Sequence, residues 1–320
     1  MKQIQIITFF LSLLPVCFYC QNIKKTNLAL LSNQIPTDTP LIFGQGIIST
    51  DNNKEFAITF NPEMNELFFT RRKPKGTNEI YTSKLIDLKW SKPELASFST
   101  DNGWDYQPHI NPKGDKLYFG STRQINDTIN SSGVNEWYCV KENKRWSNPK
   151  PLESPFSERF VMYLTSTYDD NLYFSSKEKG AKHEDGGIYY SINEKGHYKN
   201  VQKMGKEINF SGKWIAHSYI APDESYIIYD AERTSINENG DLYISFNHNG
   251  NWTNSCSLGP KINTEQNETG ASVSPDGKYL FFSRSFEKTT EDGSTYWTGN
   301  IYWIDFTQLK KKLLQKINSN

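Results

Sequence analysis

A phrase of about fifty residues recurs five times along this 320-residue chain, and that repetition restricts the folds open to it more than any other feature. Its clearest copy is Ser274-Pro275-Asp276-Gly277-Lys278-Tyr279-Leu280-Phe281-Phe282-Ser283-Arg284. Sibling copies start at Asn61-Pro62, Asn111-Pro112, Ser166-Thr167 and Ala221-Pro222. The turn position therefore falls at 62, 112, 167, 222 and 275, giving spacings of 50, 55, 55 and 53. A period in that range marks a repeat architecture, in which each unit buries its apolar face only against its neighbours.

Inside each period the same parts recur in order. A first apolar strand runs over Phe56 to Phe60, Tyr106 to Ile110, Val161 to Thr165, Ala216 to Ile220 and Thr269 to Val273. A tight turn follows, eased by Gly114 and Gly277 in two copies. A second strand alternates, as in Leu117-Tyr118-Phe119-Gly120-Ser121, so that one face is apolar. The third carries an apolar-Tyr pair: Ile80-Tyr81, Trp137-Tyr138, Ile188-Tyr189, Leu242-Tyr243 and Ile301-Tyr302. An aromatic and a last short strand close the unit, as in Trp90 to Leu95.

Four antiparallel strands, repeated, predict an all-β fold of the β-propeller type. Composition agrees: aromatics make up 14% of the chain and all hydrophobic residues only 36%, the balance of a core built from aromatic and β-branched side chains on strands. Separate small domains would each leave a broad aromatic face wet, whereas a closed ring buries them all. The fifth unit lacks a fourth strand, because Thr307 to Leu314 reads as a short amphipathic helix. Phe43 to Ser49 resembles Leu258 to Thr264, so the N-terminal segment is expected to supply the missing outer strand beside Ile301-Tyr302. Five four-stranded blades are expected, with six as the alternative. The division is a signal peptide over 1–20, a linker over 21–40, the propeller over 41–306 and a helical tail over 307–320.

The pattern Ser-Pro-Asp-Gly-Lys-x-Leu-x-Phe-x-Ser-x-Arg at 274–284, with Asp-Leu-Tyr and Gly-x-Trp within 240–252 and a further copy at Asn111 to Arg123, resembles the repeat of TolB-like (WD40-like) periplasmic propellers. The third copy departs, with Thr167 for Pro and Asp169-Asp170 for Asp-Gly. The resemblance spans about 43–306 and implies a propeller that serves as a binding platform or as a domain of a larger enzyme.

Lys2 followed by the apolar run Ile4 to Phe18 is long enough for a secretory signal and short for a membrane span. Cleavage is expected near Cys20-Gln21, and the protein is expected to be exported, periplasmic or secreted. Lipid anchoring at Cys17 or Cys20 is disfavoured, because Val16 and Tyr19 are not the small residues such a site requires. No later stretch is apolar enough to cross a bilayer. Cys139 and Cys256 fall in non-adjacent units and are expected to stay unpaired. Equal numbers of basic and acidic residues, 36 each, give no electrostatic footprint for nucleic acid. Cys17 and Cys20 form a C-x-x-C that the apolar signal segment explains; beyond it no serine-nucleophile elbow, phosphate loop or zinc-ligand pair is present, so no cofactor or metal is expected, and Asn237 to Asp241 reads as a turn rather than a calcium loop.

Candidate site residues come from strand geometry. The start of each first strand and the end of each second strand share one edge. That places Glu55, Asp105 and Glu268 at one rim near the axis, with Arg71, Arg123, Arg233 and Arg284 closing the second strands there. They read either as a polar ligand-binding mouth or as mutual ion pairs at blade junctions. His109 and His217 lie on first strands at what reads as common parity, and Tyr219 alternates with His217. Asp230 falls opposite His217, an imidazole–carboxylate pair that would orient a catalytic base or satisfy a buried histidine. Trp104, Trp214 and Trp297, near loops, are candidates for stacking on sugars or for packing. The expected function is non-catalytic recognition of an envelope protein or a glycan at this rim by a monomer. The alternative is a glycan-active hydrolase or lyase using channel carboxylates and His217.

Overall fold

The computed structural model describes residues 27–32, 34–100, 103–125, 134–210, 214–233 and 239–318; the expected signal segment lies outside them. The described strands fall into antiparallel units of four. In the first, Lys54–Phe60, Glu66–Arg72, Asn78–Ile86 and Glu94–Leu95 pair in that order. In the second the strands are Asp105–Ile110, Lys116–Ser121, Asn135–Glu142 and Lys150–Pro151. The third uses Phe160–Ser166, Leu172–Lys177, Gly187–Ser191 and Gln202–Lys203. The fourth uses Ile215–Ile220, Tyr226–Glu232, Gly240–His248 and Cys256–Ser257. The fifth chains Asn267–Val273, Tyr279–Thr289 and Thr295–Asp305, and its outer strand is Leu41–Ile42 from the N-terminal end.

The ring is a propeller, closed as the sequence suggests but with the strand displaced. Leu41 and Ile42 pair with Trp303 and Tyr302, while 43–49 turns rather than extends. The alignment of Phe43 with Leu258 nevertheless holds: the Phe43 N–H donates to the Ile301 carbonyl just as Leu258 donates to Leu242, Met204 to Ile188, Leu152 to Glu136 and Ala96 to Ile80. The segments ending in Trp90, Trp146 and Trp252 are likewise not the fourth strands. Lys89–Trp90, Arg145–Trp146 and Asn251–Trp252 fold back on the tips of the third strands, and the fourth strands start a few residues later.

Each apolar cluster fills the gap between consecutive units. Phe68, Ile80, Leu117 and Phe119 join the first to the second, and Val161, Phe174 and Tyr118 join the second to the third. Ile188, Ile215 and Tyr229 join the third to the fourth, and Ile228, Leu242, Leu280 and Phe282 the fourth to the fifth. The last gap holds Phe43, Leu28 and Leu31 from the N-terminal segment against Phe60, Phe281 and Trp303. The C-terminal helix Phe306–Asn318 buries Phe306 and Leu313 against the fourth and fifth units. Cys139 and Cys256 are free thiols.

The hairpins turn where the sequence places them, with one correction. Asn61 and Asn111 accept two backbone N–H bonds through Oδ1, and Ser274 accepts one through Oγ, which closes each turn. Thr167 does the same for the Asn171 N–H, so it takes the place of Asn61 and not of Pro62. Tyr168 therefore stands where the other units carry Pro62, Pro112, Pro222 and Pro275.

Every first strand also contains a bulge that alternation conceals. The register slips between Phe56 and Thr59, Tyr106 and His109, Met162 and Thr165, Ala216 and Tyr219, and Thr269 and Ser272. The residue after each slip begins is left-handed: Ala57, Gln107, Tyr163, His217 and Gly270 have φ between 49° and 63°. Four are not glycine, so surrounding contacts must hold the conformation. Those contacts tie unit to unit. The N–H of Gln107 donates to Thr70 Oγ1, that of His217 to Ser175 Oγ and that of Gly270 to Asp230 Oδ1. Ser166 N–H donates to His109 Nε2, and Ser272 and Ser283 hydroxyls donate to the Ile58 and Glu55 carbonyls to complete the circuit.

Candidate functional site

The bulges divide the axis into two ends. Beyond each bulge, toward the hairpin turns, Thr59, His109, Thr165, Tyr219 and Ser272 occupy equivalent positions and line a cavity of about 130 Å³. Pro62, Pro112, Tyr168, Pro222 and Pro275 line it at the turns. Its inner wall includes Tyr163, whose hydroxyl donates to the Ala271 carbonyl at 2.8 Å. That bond joins the third unit to the fifth, which are not neighbours in the ring, so the phenol crosses the axis. Tyr163→Phe is expected to cost about 1 kcal/mol in denaturant unfolding, the worth of one buried hydrogen bond.

His109 belongs to this hairpin end. Its Nε2 accepts the Ser166 N–H at 3.0 Å and lies 3.0 Å from Ser166 Oγ. Burial pulls the imidazole down to about 3, so at neutral pH it is a fixed neutral acceptor and not a proton carrier. Tyr219 lines the same cavity, with its phenol pushed up by burial.

His217 lies on the other side of Tyr163. Its ring meets the Tyr163 ring edge-on at 5.3 Å, and its Nδ1 sits 2.9 Å from Asp230 Oδ2 and 3.0 Å from Oδ1. The structure thus brings His217 and Asp230 together but separates His217 from His109 and Tyr219. Sequence parity fails because the bulge inserts a residue between the two histidine positions. Asp230 is also a junction residue, since its Oδ1 accepts the Gly270 N–H at 3.0 Å.

The predicted acids do not open onto the axis. Glu55, Asp105 and Glu268 are fully buried, and each holds the loop before its own strand. Glu55 accepts from the Thr50 N–H and hydroxyl, Asp105 from the Thr100 N–H, and Glu268 from the Thr264 N–H and hydroxyl. Arg71, Arg123 and Arg284 pair with them at 2.8, 2.7 and 2.8 Å. The guanidinium groups continue to backbone carbonyls of Ile48, Phe98 and Ile262. Arg233 pairs with Asp241 at 2.8 Å and reaches Glu268 at 3.5 Å. These residues form junction clamps, the second of the two arrangements the sequence allowed.

Of the groups left half-buried or exposed at this rim, sequence singled out Trp104 and Trp297 but not the two half-buried cations beside them. Lys54 and Arg72 lie directly opposite each other at the open end of the first hairpin. The Lys54 ammonium sits 5.4 Å from the centre of the Trp297 ring and 5.5 Å from that of Phe56. The Arg72 guanidinium sits 6.0 Å from the centre of the Trp104 ring. Trp104 and Trp297 are 40% and 37% exposed, high for indoles in a folded chain. Burial, with the Arg72 charge beside it, draws the Lys54 amine down to about 8; Asp230 opposes the shift. Among the described residues, neither cation has a carboxylate within ion-pairing distance. Trp214 differs: His183 stacks on it at 4.3 Å and Gly186 leaves the space its ring occupies, so its role is packing. In sequence, Lys54 lies in the polar run Asp51-Asn52-Asn53-Lys54 and reads as loop; only the strand register brings it beside Arg72.

No protein-family model and no curated protein sequence matches this chain. Among solved structures, it is similar to TolB from Acinetobacter baumannii at 16% identity and a TM-score of 0.48, covering 78% of this chain and 56% of that one. It is similar also to a putative TolB from Agrobacterium tumefaciens at 11% identity and a TM-score of 0.47, over 79% of this chain and 91% of that one. A GH43 endo-arabinanase from Bacillus licheniformis is similar at 11% identity and a TM-score of 0.48, over 80% of this chain and 96% of that one. The chain thus spans little more than half of the first TolB and nearly the whole of the other two.

Proposed function

We propose that this is an exported binding propeller that recognises a glycan or a protein, without turnover, at the rim where the first strands begin. The observation that carries this reading is the pair of exposed indoles, Trp104 and Trp297, flanking two cations that have no carboxylate partner among the described residues. Flat apolar faces beside unspent charge are the surface a ligand completes. The rim carboxylates and one of the two histidines that an enzyme could use are otherwise engaged. Glu55, Asp105 and Glu268 are buried under arginines, and His109 is held neutral.

In a calorimetric panel of oligosaccharides and envelope proteins, Trp104→Ala and Trp297→Ala should each weaken binding about tenfold, the loss typical of a stacking contact at a hot spot, with the melting temperature little changed. Unchanged affinity in both variants would remove the rim from consideration. The His217–Asp230 pair supports a second reading, a glycan hydrolase or lyase, because Asp230 holds one nitrogen of an imidazole whose side chain is 20% exposed. Release of reducing ends that disappears in His217→Ala, with the fold intact, would replace the binding reading by that one.

A further inference from the structure

Four arginines that close second strands in this propeller are neutralised: Arg71 by Glu55, Arg123 by Asp105, Arg233 by Asp241 and Arg284 by Glu268. Arg72 follows directly after one of them and has no carboxylate partner among the described residues. It is set opposite Lys54 in the strand register, close enough for its charge to act on the Lys54 amine. The carboxylate nearest in effect to Lys54, Asp230, is already held by His217 and by the Gly270 N–H. Two like charges drawn partly out of water lower stability, and such an arrangement persists where a counter-charge arrives from outside the chain. A planar guanidinium beside an ammonium suits a carboxylate, which accepts from both. The indoles on either side offer flat faces to the C–H surface of a sugar ring.

We propose that Lys54 and Arg72 receive the carboxylate of an acidic sugar unit, a hexuronate within a glycan, while Trp104 and Trp297 stack against the rings beside it. This rests on the binding reading above and specifies its ligand. Neighbouring sugars would run from the Arg72–Trp104 side to the Lys54–Trp297 side, across the open end of the first hairpin. The anion meets cations that make no competing ion pair among the described residues.

The test uses the full chain, titrated at pH 7 and low salt with a galacturonate tetrasaccharide and with the same tetrasaccharide fully methyl-esterified. The acid form should bind at least tenfold more tightly than the ester. Lys54→Met and Arg72→Met should each erase about tenfold or more of that preference. Lys54→Met should at the same time raise the melting temperature, since it removes an unpaired, partly buried charge. Opposite signs for stability and affinity are what a purely structural lysine would not give. Equal binding of acid and ester, still sensitive to Trp104→Ala, would overturn this inference and leave the binding function standing. Acid binding untouched in Lys54→Met, or no binding of the acid form at all, would also overturn it. So would a Lys54-dependent affinity confined to acidic peptides.

Discussion

Glu136→Leu is expected to stabilise the protein by about 2 kcal/mol at pH 7, measured by denaturant unfolding. Glu136 is 2% exposed, and among the described residues neither carboxyl oxygen has a hydrogen-bond partner. An unpartnered buried polar group costs about 1–3 kcal/mol in proteins. The strand register, which sets Glu136 rather than Trp137 in the place of Ile80, explains why leucine suits the position. Glu136 pairs with Gly120 as Ile80 pairs with Thr70, Ile188 with Ser175, Leu242 with Asp230 and Ile301 with Ser283. All four equivalents are buried aliphatic residues in clusters between units. The cluster between the second and third units has no such member, and the glutamate takes its place.

The same residue gives a pH signature. Burial pushes its carboxyl well above the ordinary 4.5, so the folded chain keeps a proton that the unfolded chain has released. Where that holds, the folded state binds more protons, and stability must fall as pH rises. The decline starts near 4.5 and continues toward the folded value, with a slope of about 1.4 kcal/mol per pH unit from this group. Glu136→Gln should abolish the slope without supplying the leucine's packing, and Glu136→Leu should abolish it and raise the curve. A slope unchanged in both variants would show that Glu136 is not the group responsible.

The propeller was legible because its signal is redundant: five copies of one apolar alternation, each needing the same neighbours. The closure was legible from Phe43 for a similar reason, since its hydrogen bond to Ile301 repeats that of Leu258. The site was legible only in part. His217 and Asp230 meet because their separation is set by one short hairpin. His109 could not be placed beside them, because a bulge leaves no mark in a pattern of apolar and polar letters. Ala57, Gln107, Tyr163, His217 and Gly270 share a backbone conformation and almost no chemistry. Lys54 and Arg72 were hidden differently. What sets them apart is the absence of a carboxylate partner among the described residues, and that is a property of neighbours in space, not of sequence.

Arg71→Ala is expected to cost about 3 kcal/mol or more at pH 7, the usual consequence of stripping the partner from a buried charge. Glu55 is fully buried, and Arg71 Nε reaches its Oε1 at 2.8 Å while the same guanidinium ties down the Ile47 and Ile48 carbonyls. Burial already pushes the Glu55 carboxyl upward, against the Thr50 bonds and Arg71 that hold it down. Without Arg71 that push is less opposed, so the stability deficit should be largest near neutrality and shrink below 4.5, where the carboxyl is protonated folded or unfolded. Glu55→Gln with Arg71→Met should recover much of the loss, because the amide oxygen still accepts the Thr50 N–H and no buried charge is left. Binding provides the contrast. If Glu55 and Arg71 are a junction clamp, Arg71→Ala measured well below its melting temperature should retain affinity for the acidic tetrasaccharide, while Lys54→Met loses it. Equal loss in both variants would place the clamp in the ligand's path and restore the rim acids as contact residues.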